Sequence, residues 1–371
     1  MGSEILLYGY GAVCVCMLVF NILYSLVMRR RDLRSEKRVR RMTVQVDIQL
    51  RRLREGSAVE RGHIRRLRRQ LARVGGLASF YQVVEDRLRR GDDQAVTAYR
   101  RSIQPIILKT AVAYSNRDTM QAAYFAYFLS RYRVERGRQM DTLQRIMVDY
   151  MRRDNLYCRV NALEALYSFG TVESVAQAVV LLDQQGGFVH DKVLTDGLLS
   201  YTGDHSRLIV LLWRDFDSFS AKTQLSVLNY IRFLSGDYCR EMHTILVDEK
   251  REKELRLAAI RYFGRYTYLP ALEPLLEFIS DRDPGRWEYA SVSASALARY
   301  PGERSTAALL SAAHSPNWYV RSNAVSSLAE HGQDSHQLIQ MVGGTDRYAR
   351  EMLTYRLSRR RAEAERAEDS P

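Results

Sequence analysis

The stretch NLYCRVNALEALYSFG (residues 155–170) decides the fold. Counted from Arg159, a small residue stands three places on (Ala162), a large apolar one seven on (Leu166) and a glycine eleven on (Gly170). Positions 0, +3, +4 and +7 share one helix face, so the small residue admits a neighbouring helix closely and the large one fills the space between layers. The frame returns from Lys192 (Thr195, Leu199, Gly203), Gln224 (Val227, Ile231, with Gly236 one place late) and Arg256 (Ala259, Phe263, no glycine). It returns again from Ser291 (Ala294, Ala298 beside Leu297, Gly302) and Arg321 (Ala324, Leu328, Gly332). The intervals are 33, 32, 32, 35 and 30 residues. A fixed period in this range marks a solenoid, in which each repeat buries its apolar face against its neighbours. Such a chain is expected to present a stacked binding surface and no reaction of its own.

Working outward, residues 77–153 also read as helices, broken every 12–18 residues by Gly, Asp, Asn or Pro, and are expected to hold one or two degenerate pairs ahead of the repeats. Helices are expected over 77–90 before Gly91, 118–136 before Gly137, 171–185 before Gly186 and 305–313 before Ser315-Pro316. Asp, Asn, Ser and Thr at their starts can cap free N–H groups, and glycine at their ends can take the left-handed turn. The segments at 155–170 and 317–332 (NWYVRSNAVSSLAEHG) resemble HEAT-type repeats of the short bacterial kind: an Asn opens the first helix, then Val-Arg or Arg-Val, then Ala, then Leu and a closing Gly. The resemblance extends to 249–283 and fades by residue identity over 188–248 and 283–315. It implies an all-α solenoid of helix pairs that binds proteins.

Upstream, residues 5–28 (ILLYGYGAVCVCMLVFNILYSLVM) carry no charge. As a helix they would run roughly 36 Å, enough to cross a hydrocarbon core of about 30 Å with some tilt. Tyr8, Tyr10 and Tyr24 lie toward the ends, where amphipathic rings favour the headgroups. The run is long for a signal peptide, lacks a basic stretch before Ile5 and is followed by no small-x-small cleavage site, so it reads as an uncleaved anchor. The net charge of +13 is concentrated just beyond it: residues 29–70 hold 16 Arg and Lys against 5 Asp and Glu, which leaves +2 for the remainder. Arg29, Arg30, Arg31, Arg34, Lys37, Arg38, Arg40 and Arg41 form the membrane-interface cluster, and only Glu4 lies on the other side. The positive-inside bias then places the N-terminus outside and the repeats in the cytoplasm, at a bacterial inner membrane. Anionic lipid headgroups would meet this cluster, each Arg contributing about 1 kcal/mol. The expected organisation is an anchor over 1–28, an Arg-rich neck over 29–76, degenerate helical repeats over 77–153, HEAT-like repeats over 154–358 and a charged tail over 359–371.

In the neck, Val39, Met42, Val46, Leu50 and Leu53 follow helical spacing, while Met42, Val44, Val46, Ile48 and Leu50 also alternate as in a strand. A second basic helix carries Arg65, Arg66, Arg68, Arg69 and Arg73 and is expected to end at Gly75-Gly76. Within the anchor, Asn21 is the strongly polar residue, and Gly9, Gly11 and Ala12 allow close approach; together they fit docking against another membrane helix. Cys14 and Cys16 fall in the anchor and Cys158 and Cys239 stand alone, so no disulfide framework is expected.

Arg159, Lys192, Arg256 and Arg321 share one repeat position and are expected to form a ladder to an acid or carbonyl in the neighbouring repeat, with acidic partners nearby. His331, Asp334 and His336 are too loosely spaced for a zinc site, and neither a phosphate loop nor a nucleophile motif occurs. No catalytic residue, cofactor or small-molecule substrate is therefore expected. Trp213, Trp287 and Trp318 stand in or beside repeat turns, and Trp287, Trp318 and Tyr319 are the candidate partner contacts, since exposed aromatics dominate interfaces. The array with its anchor also resembles membrane-tethered HEAT-like proteins of bacteria, most clearly over AVAYSNRDTMQAAYFAYFLSRY (111–132). Some of those are associated with glycosyltransferases that make exopolysaccharide, which implies a membrane enzyme as partner. The alternative is a nucleic-acid-associated HEAT protein that uses the neck, although nearly neutral repeats argue against a phosphate-gripping stripe.

Overall fold

A computed structural model describes residues 2–91, 93–132, 140–186 and 189–331. Among these there is no strand, and the fold is all-α. The expected 118–136 boundary at Arg136 and Gly137, the closing Gly332, Asp334, His336 and the 359–371 tail lie outside the described residues. The described residues divide into two compact units, one drawn from Met1–Gly187 with Tyr201–Gly203, the other from Phe188–Ser200 with Asp204–Pro371.

In the first unit, α1 (Gly2–Arg54), α3 (Val74–Arg89), α5 (Thr119–Tyr132) and α7 (Leu156–Phe169) pack in succession as one layer. The second layer is α2 (Arg61–Leu71), α4 (Asp93–Ser115), α6 (Asp141–Tyr150) and α8 (Val172–Gln184). The anchor and the neck as far as Arg54 are thus one helix, and its C-terminal half is the first helix of the first pair. No Gly or Pro occurs between Gly11 and Gly56, so nothing interrupts α1 until Gly56 takes a left-handed φ of 75° and its N–H bonds the Leu53 carbonyl. The neck is not a separate linker. Met42, Val46 and Leu50 are buried at helical spacing, while Val44 and Ile48 are exposed, so the alternating pattern that suggested a strand is set aside. Asp47 pairs with Arg87 of α3, whose Nη2 donates over 2.7 Å, and the buried Gln49 accepts from the Glu60 N–H just before α2.

Gly75-Gly76 does not end α2. That helix stops at Leu71, and both glycines lie in the first turn of α3. Gly76 is needed for space, since a Cβ there would strike the Gln70 carbonyl, whereas one on Gly75 would meet only the far end of the flexible Arg38 side chain of α1. His63 of α2 is fully buried and shares a 2.7 Å hydrogen bond with the Tyr99 hydroxyl of α4.

In the second unit, α9 (Asp191–Leu199), α11 (Ala221–Leu234), α13 (Lys253–Phe263), α15 (Trp287–Ala296) and α17 (Trp318–Glu330) form the first layer in succession. Between them come α10 (His205–Arg214), α12 (Cys239–Val247), α14 (Leu272–Ser280) and α16 (Glu303–Ala312). The six frames quoted above are α7, α9, α11, α13, α15 and α17. Their small residues Ala162, Thr195, Val227, Ala259, Ala294 and Ala324 are buried, as are Leu166, Ile231, Phe263 and Leu328. Two frames shift by one place: Leu198 is buried instead of Leu199, and Leu297 instead of Ala298. Small residues leave backbone carbonyls within reach of the next helix, and a polar residue two places after the frame start uses them. Asn161 Nδ2 donates to the Ala123 carbonyl (3.3 Å), Ser226 Oγ to Asp191 (3.2 Å) and Asn323 Nδ2 to Ser291 (2.9 Å).

Gly91 and Gly186 take the left-handed turn expected of them at helix ends, but the frame glycine Gly170 does not. Among the described residues positive φ occurs at Gly56, Gly91 and Gly186, whereas Gly170 has φ −67°. Gly170 is small because a side chain would strike the Leu166 carbonyl, and at Gly236 it would strike the Tyr266 ring.

Leu50→Ala is expected to cost about 2–5 kcal/mol of first-unit stability, the usual cost of a buried leucine, while Val44→Ala and Ile48→Ala each stay near 0.5 kcal/mol. Hydrogen exchange of α1 and α3 in the full chain checks the contrast. Burial holds the His63 imidazole down to about 4, with Arg66 adding to the effect and Glu60 opposing it. Above pH 6.5 the group is neutral in folded and unfolded chains alike. Between 6.5 and 4 the unfolded chain takes up a proton that the folded one refuses, so stability falls, by at most about 1.4 kcal/mol per pH unit from this group. Denaturant unfolding at several pH values checks the slope, and His63→Leu is expected to remove this contribution.

Candidate protein-binding surface

Three aromatic side chains singled out by sequence come together at the starts of α15 and α17. Asn317 caps α17: its Oδ1 accepts from the N–H groups of Tyr319 (2.8 Å) and Val320 (3.4 Å). The cap fixes the first turn, so Trp318 and Tyr319 project where the helix has only begun to pack. Before α15, Asp283 Oδ1 accepts from the Gly285 N–H in a tight turn that brings Trp287 to the first helical position. The Trp287 and Tyr319 rings stack with centroids 5.4 Å apart, and Trp318 meets Tyr319 edge-on at 5.1 Å. Trp318 is 49% and Tyr319 56% exposed. Rigid rings held by each other offer contact area at small rotamer cost, which suits a protein interface.

The frame has a counterpart in the first unit that sequence reading passed over. Asn155 Oδ1 accepts from the Cys158 N–H, and Tyr157, placed two before Arg159 as Tyr319 is two before Arg321, is 75% exposed. The signal was present, since both tyrosines follow the capping Asn by two. Trp213 is different: it stacks on Phe216 at 4.6 Å and meets Tyr238 edge-on, an internal contact. Much of the tyrosine content is likewise internal. Tyr114, Tyr150, Tyr230 and Tyr262 are fully buried, Tyr201 Oη donates to the Gly170 carbonyl, and Tyr300 Oη accepts from the Tyr268 N–H.

At Arg159 and Arg256 the expected acidic partners are replaced by neutral acceptors, and Arg321 also reaches backbone carbonyls. Arg159 Nη1 donates to the Gln185 side-chain oxygen (3.5 Å), Arg256 Nε to the Leu246 carbonyl (3.0 Å) and Arg321 Nη1 to the carbonyls of Ser315 (2.7 Å) and Pro316 (2.9 Å). Arg256 is buried with its guanidinium 5.2 Å from the Phe278 ring centre and 5.4 Å from that of Tyr289. Helix-end carbonyls and ring faces offer partial negative charge that an always-charged guanidinium accepts, so no carboxylate has to be buried. Lys192 is exposed and takes no such place.

Along α1, Arg29, Arg30, Arg31, Arg34, Lys37, Arg38, Arg40 and Arg41 are all exposed, and so is Asn21. Gly9 and Gly11 have open space around them, while the Ala12 side chain lies outside the described residues. The apolar run is likewise exposed at Tyr10 and from Val13 to Val27, apart from Cys14, and α1 is the one described helix long and apolar enough to cross a membrane. His331 Nε2 lies 2.9 Å from the Leu297 carbonyl, and among the described residues no three His, Cys, Asp or Glu side chains gather as metal ligands would. A feature that sequence reading missed is a cleft between α11, α13 and α15, lined by Arg232, Arg261 and Arg265.

The family model for HEAT repeats matches residues 241–329, from α12 to α17. No curated protein matches the chain. The matched residues contain Arg256, Arg321 and the aromatic cluster, and over this stretch the chain is similar to HEAT repeats.

Trp318→Ala and Tyr319→Ala are each expected to cost about 0.5–1 kcal/mol, the worth of an exposed aromatic contact. Arg256→Ala should cost about 2–3 kcal/mol, since it strands a buried carbonyl and removes a packed stem. Chemical denaturation followed by circular dichroism checks the ranking.

Proposed function

We propose that this protein is a non-enzymatic scaffold, tethered to a membrane through the N-terminal half of α1, whose HEAT-like repeats bind a protein partner at that membrane. The observation that carries the reading is the two-sided character of one unbroken helix. Its N-terminal half exposes Val15, Leu18, Phe20, Ile22, Leu23 and Leu26, and its C-terminal half buries Met42, Val46 and Leu50 in the first repeat pair. Exposed apolar surface of that extent is costly in water and is relieved in lipid. HEAT repeats generally mediate protein interactions, and the ring cluster at Trp287, Trp318 and Tyr319 gives this array a surface suited to one.

The helix also sets a distance. From Met28 to Met42 is 14 residues, or roughly 21 Å of helix, all of it outside the apolar run. The basic cluster Arg29–Arg41 occupies this stand-off, where headgroups of anionic lipid would meet its first turns. On the positive-inside rule the repeats lie in the cytoplasm beneath a bacterial inner membrane. Confinement to that layer raises the effective concentration of the repeats for membrane partners, of which a polysaccharide-synthesising glycosyltransferase is the candidate. The same exposed arginines favour a second reading, binding of DNA or RNA by the neck, which predicts a steep loss of affinity with salt.

Photo-crosslinking from Tyr319 in intact cells tests the first reading. A discrete protein adduct in the membrane fraction, lost when residues 2–28 are deleted, is the expected result. Recovery of the intact chain in the soluble fraction would overturn it, as would adducts made only to nucleic acid.

A further inference from the structure

The cleft in the second unit is built where three successive first-layer helices end. Arg232 lies in the last turn of α11, Arg261 in the last turn of α13 and Arg265 just beyond it, while Ser295 closes α15. The free space is ≈ 270 Å³, and no carboxylate lines it. Gly264 opens it. Gly264 stands eight places after Arg256, where the neighbouring frames carry Arg232 and Arg299, so the middle repeat leaves out a side chain between two arginines.

The charge in this cleft is uncompensated. None of the three guanidinium groups has a hydrogen-bond or ion-pair partner among the described residues, although carbonyls at three helix ends lie close by in sequence. Arg232 Nε is buried without a partner. Its guanidinium sits 4.8 Å from the centre of the Phe233 ring, and Arg265 lies 5.7 Å from the same ring and 5.7 Å from that of Tyr266. Burial first, then the charges of Arg261 and Arg265, push the Arg232 pKa down, so the cluster is held together against its own repulsion. Three other arginines of this unit are compensated: Arg304 pairs with Glu273, Arg251 with Asp217 and Arg286 with Asp281.

We propose that this cleft binds the phosphoryl group of a small soluble phosphate monoester. A carboxylate carries one charge and two oxygens and would leave two of the guanidiniums unmatched. A phosphoryl group carries about −1.5 to −2 at neutral pH with three acceptor oxygens, one for each arginine. The space is just below the usual range for small-ligand sites and too small for a peptide segment. The half-exposed Phe233 ring borders the opening, where the organic part of the molecule would lie. The site goes beyond the scaffold reading, and beyond the expectation that the repeats hold no small molecule.

The test uses the full chain in nanodiscs of phosphatidylcholine, with unfolding of the second unit followed by tryptophan fluorescence, since all three tryptophans lie there. Glycerol 3-phosphate is expected to raise the melting temperature saturably, beyond sodium chloride at equal ionic strength, and to bind more tightly than inorganic phosphate. Arg232→Gln and the more exposed Arg265→Gln should each weaken half-saturation at least tenfold, and without phosphate each should melt at or above the parent because repulsion is relieved. A rise no larger than that from chloride, or one unchanged in both variants, overturns the proposal. Tighter binding of a glutamate-rich peptide, or of inorganic phosphate, overturns the ligand class. A rise caused by phosphatidic acid in the discs, without soluble phosphate, overturns the soluble source. Each of these results leaves crosslinking from Tyr319 unaffected.

Discussion

Close approach of one first-layer helix to the next is the constraint on which the rest of the structure depends. It requires a residue without bulk at the frame's third position, and Ala162, Ala259, Ala294 and Ala324 are fully buried there. Bringing backbones together exposes the carbonyls of one helix to the side chains of the next, and Asn161, Ser226 and Asn323 bond them. A buried polar group costs little when its partner is supplied in this way. The apolar seventh position and the polar second position are thus two consequences of one geometry.

The same packing explains how α1 is used. In a stacked array each helix pair buries one face under the helix that precedes it. In the first unit α1 is that helix, through Met42, Val46 and Leu50 against α3 and α4, with the Asp47–Arg87 pair fixing its register. One helix is therefore both a packed member of the array and the continuation of an apolar, exposed run. Motion at a linker would decouple these roles. An unbroken backbone from Gly11 to Gly56 couples them.

Arginine serves three purposes in this chain, told apart by surroundings. Along α1 it is solvated in a row. In the ladder it is buried against carbonyls and rings, as at Arg256 between Phe278 and Tyr289. At Arg232, Arg261 and Arg265 it is gathered without a partner. A net charge of nearly zero over the repeats says nothing about this last arrangement, because charge sums over a sequence and fields sum over space.

The helical character, the repeat frames and the apolar run were legible in the residues alone, because each rests on local periodicity. Asn155 and Asn317 announced capped helices, and the rings at 287, 318 and 319 announced a surface, although only stacking of α15 on α17 made them one cluster. Other features needed tertiary structure. The alternation from Met42 to Leu50 satisfied two periods at once, and packing against α3 and α4 chose the helix. Gly76 and Gly170 looked like helix ends but are small because a backbone carbonyl occupies their side. The three arginines of the cleft lie 29 and 4 residues apart and share no motif. Sequence determines what a helix can bury; which groups meet at its end is decided by the neighbours against which it packs.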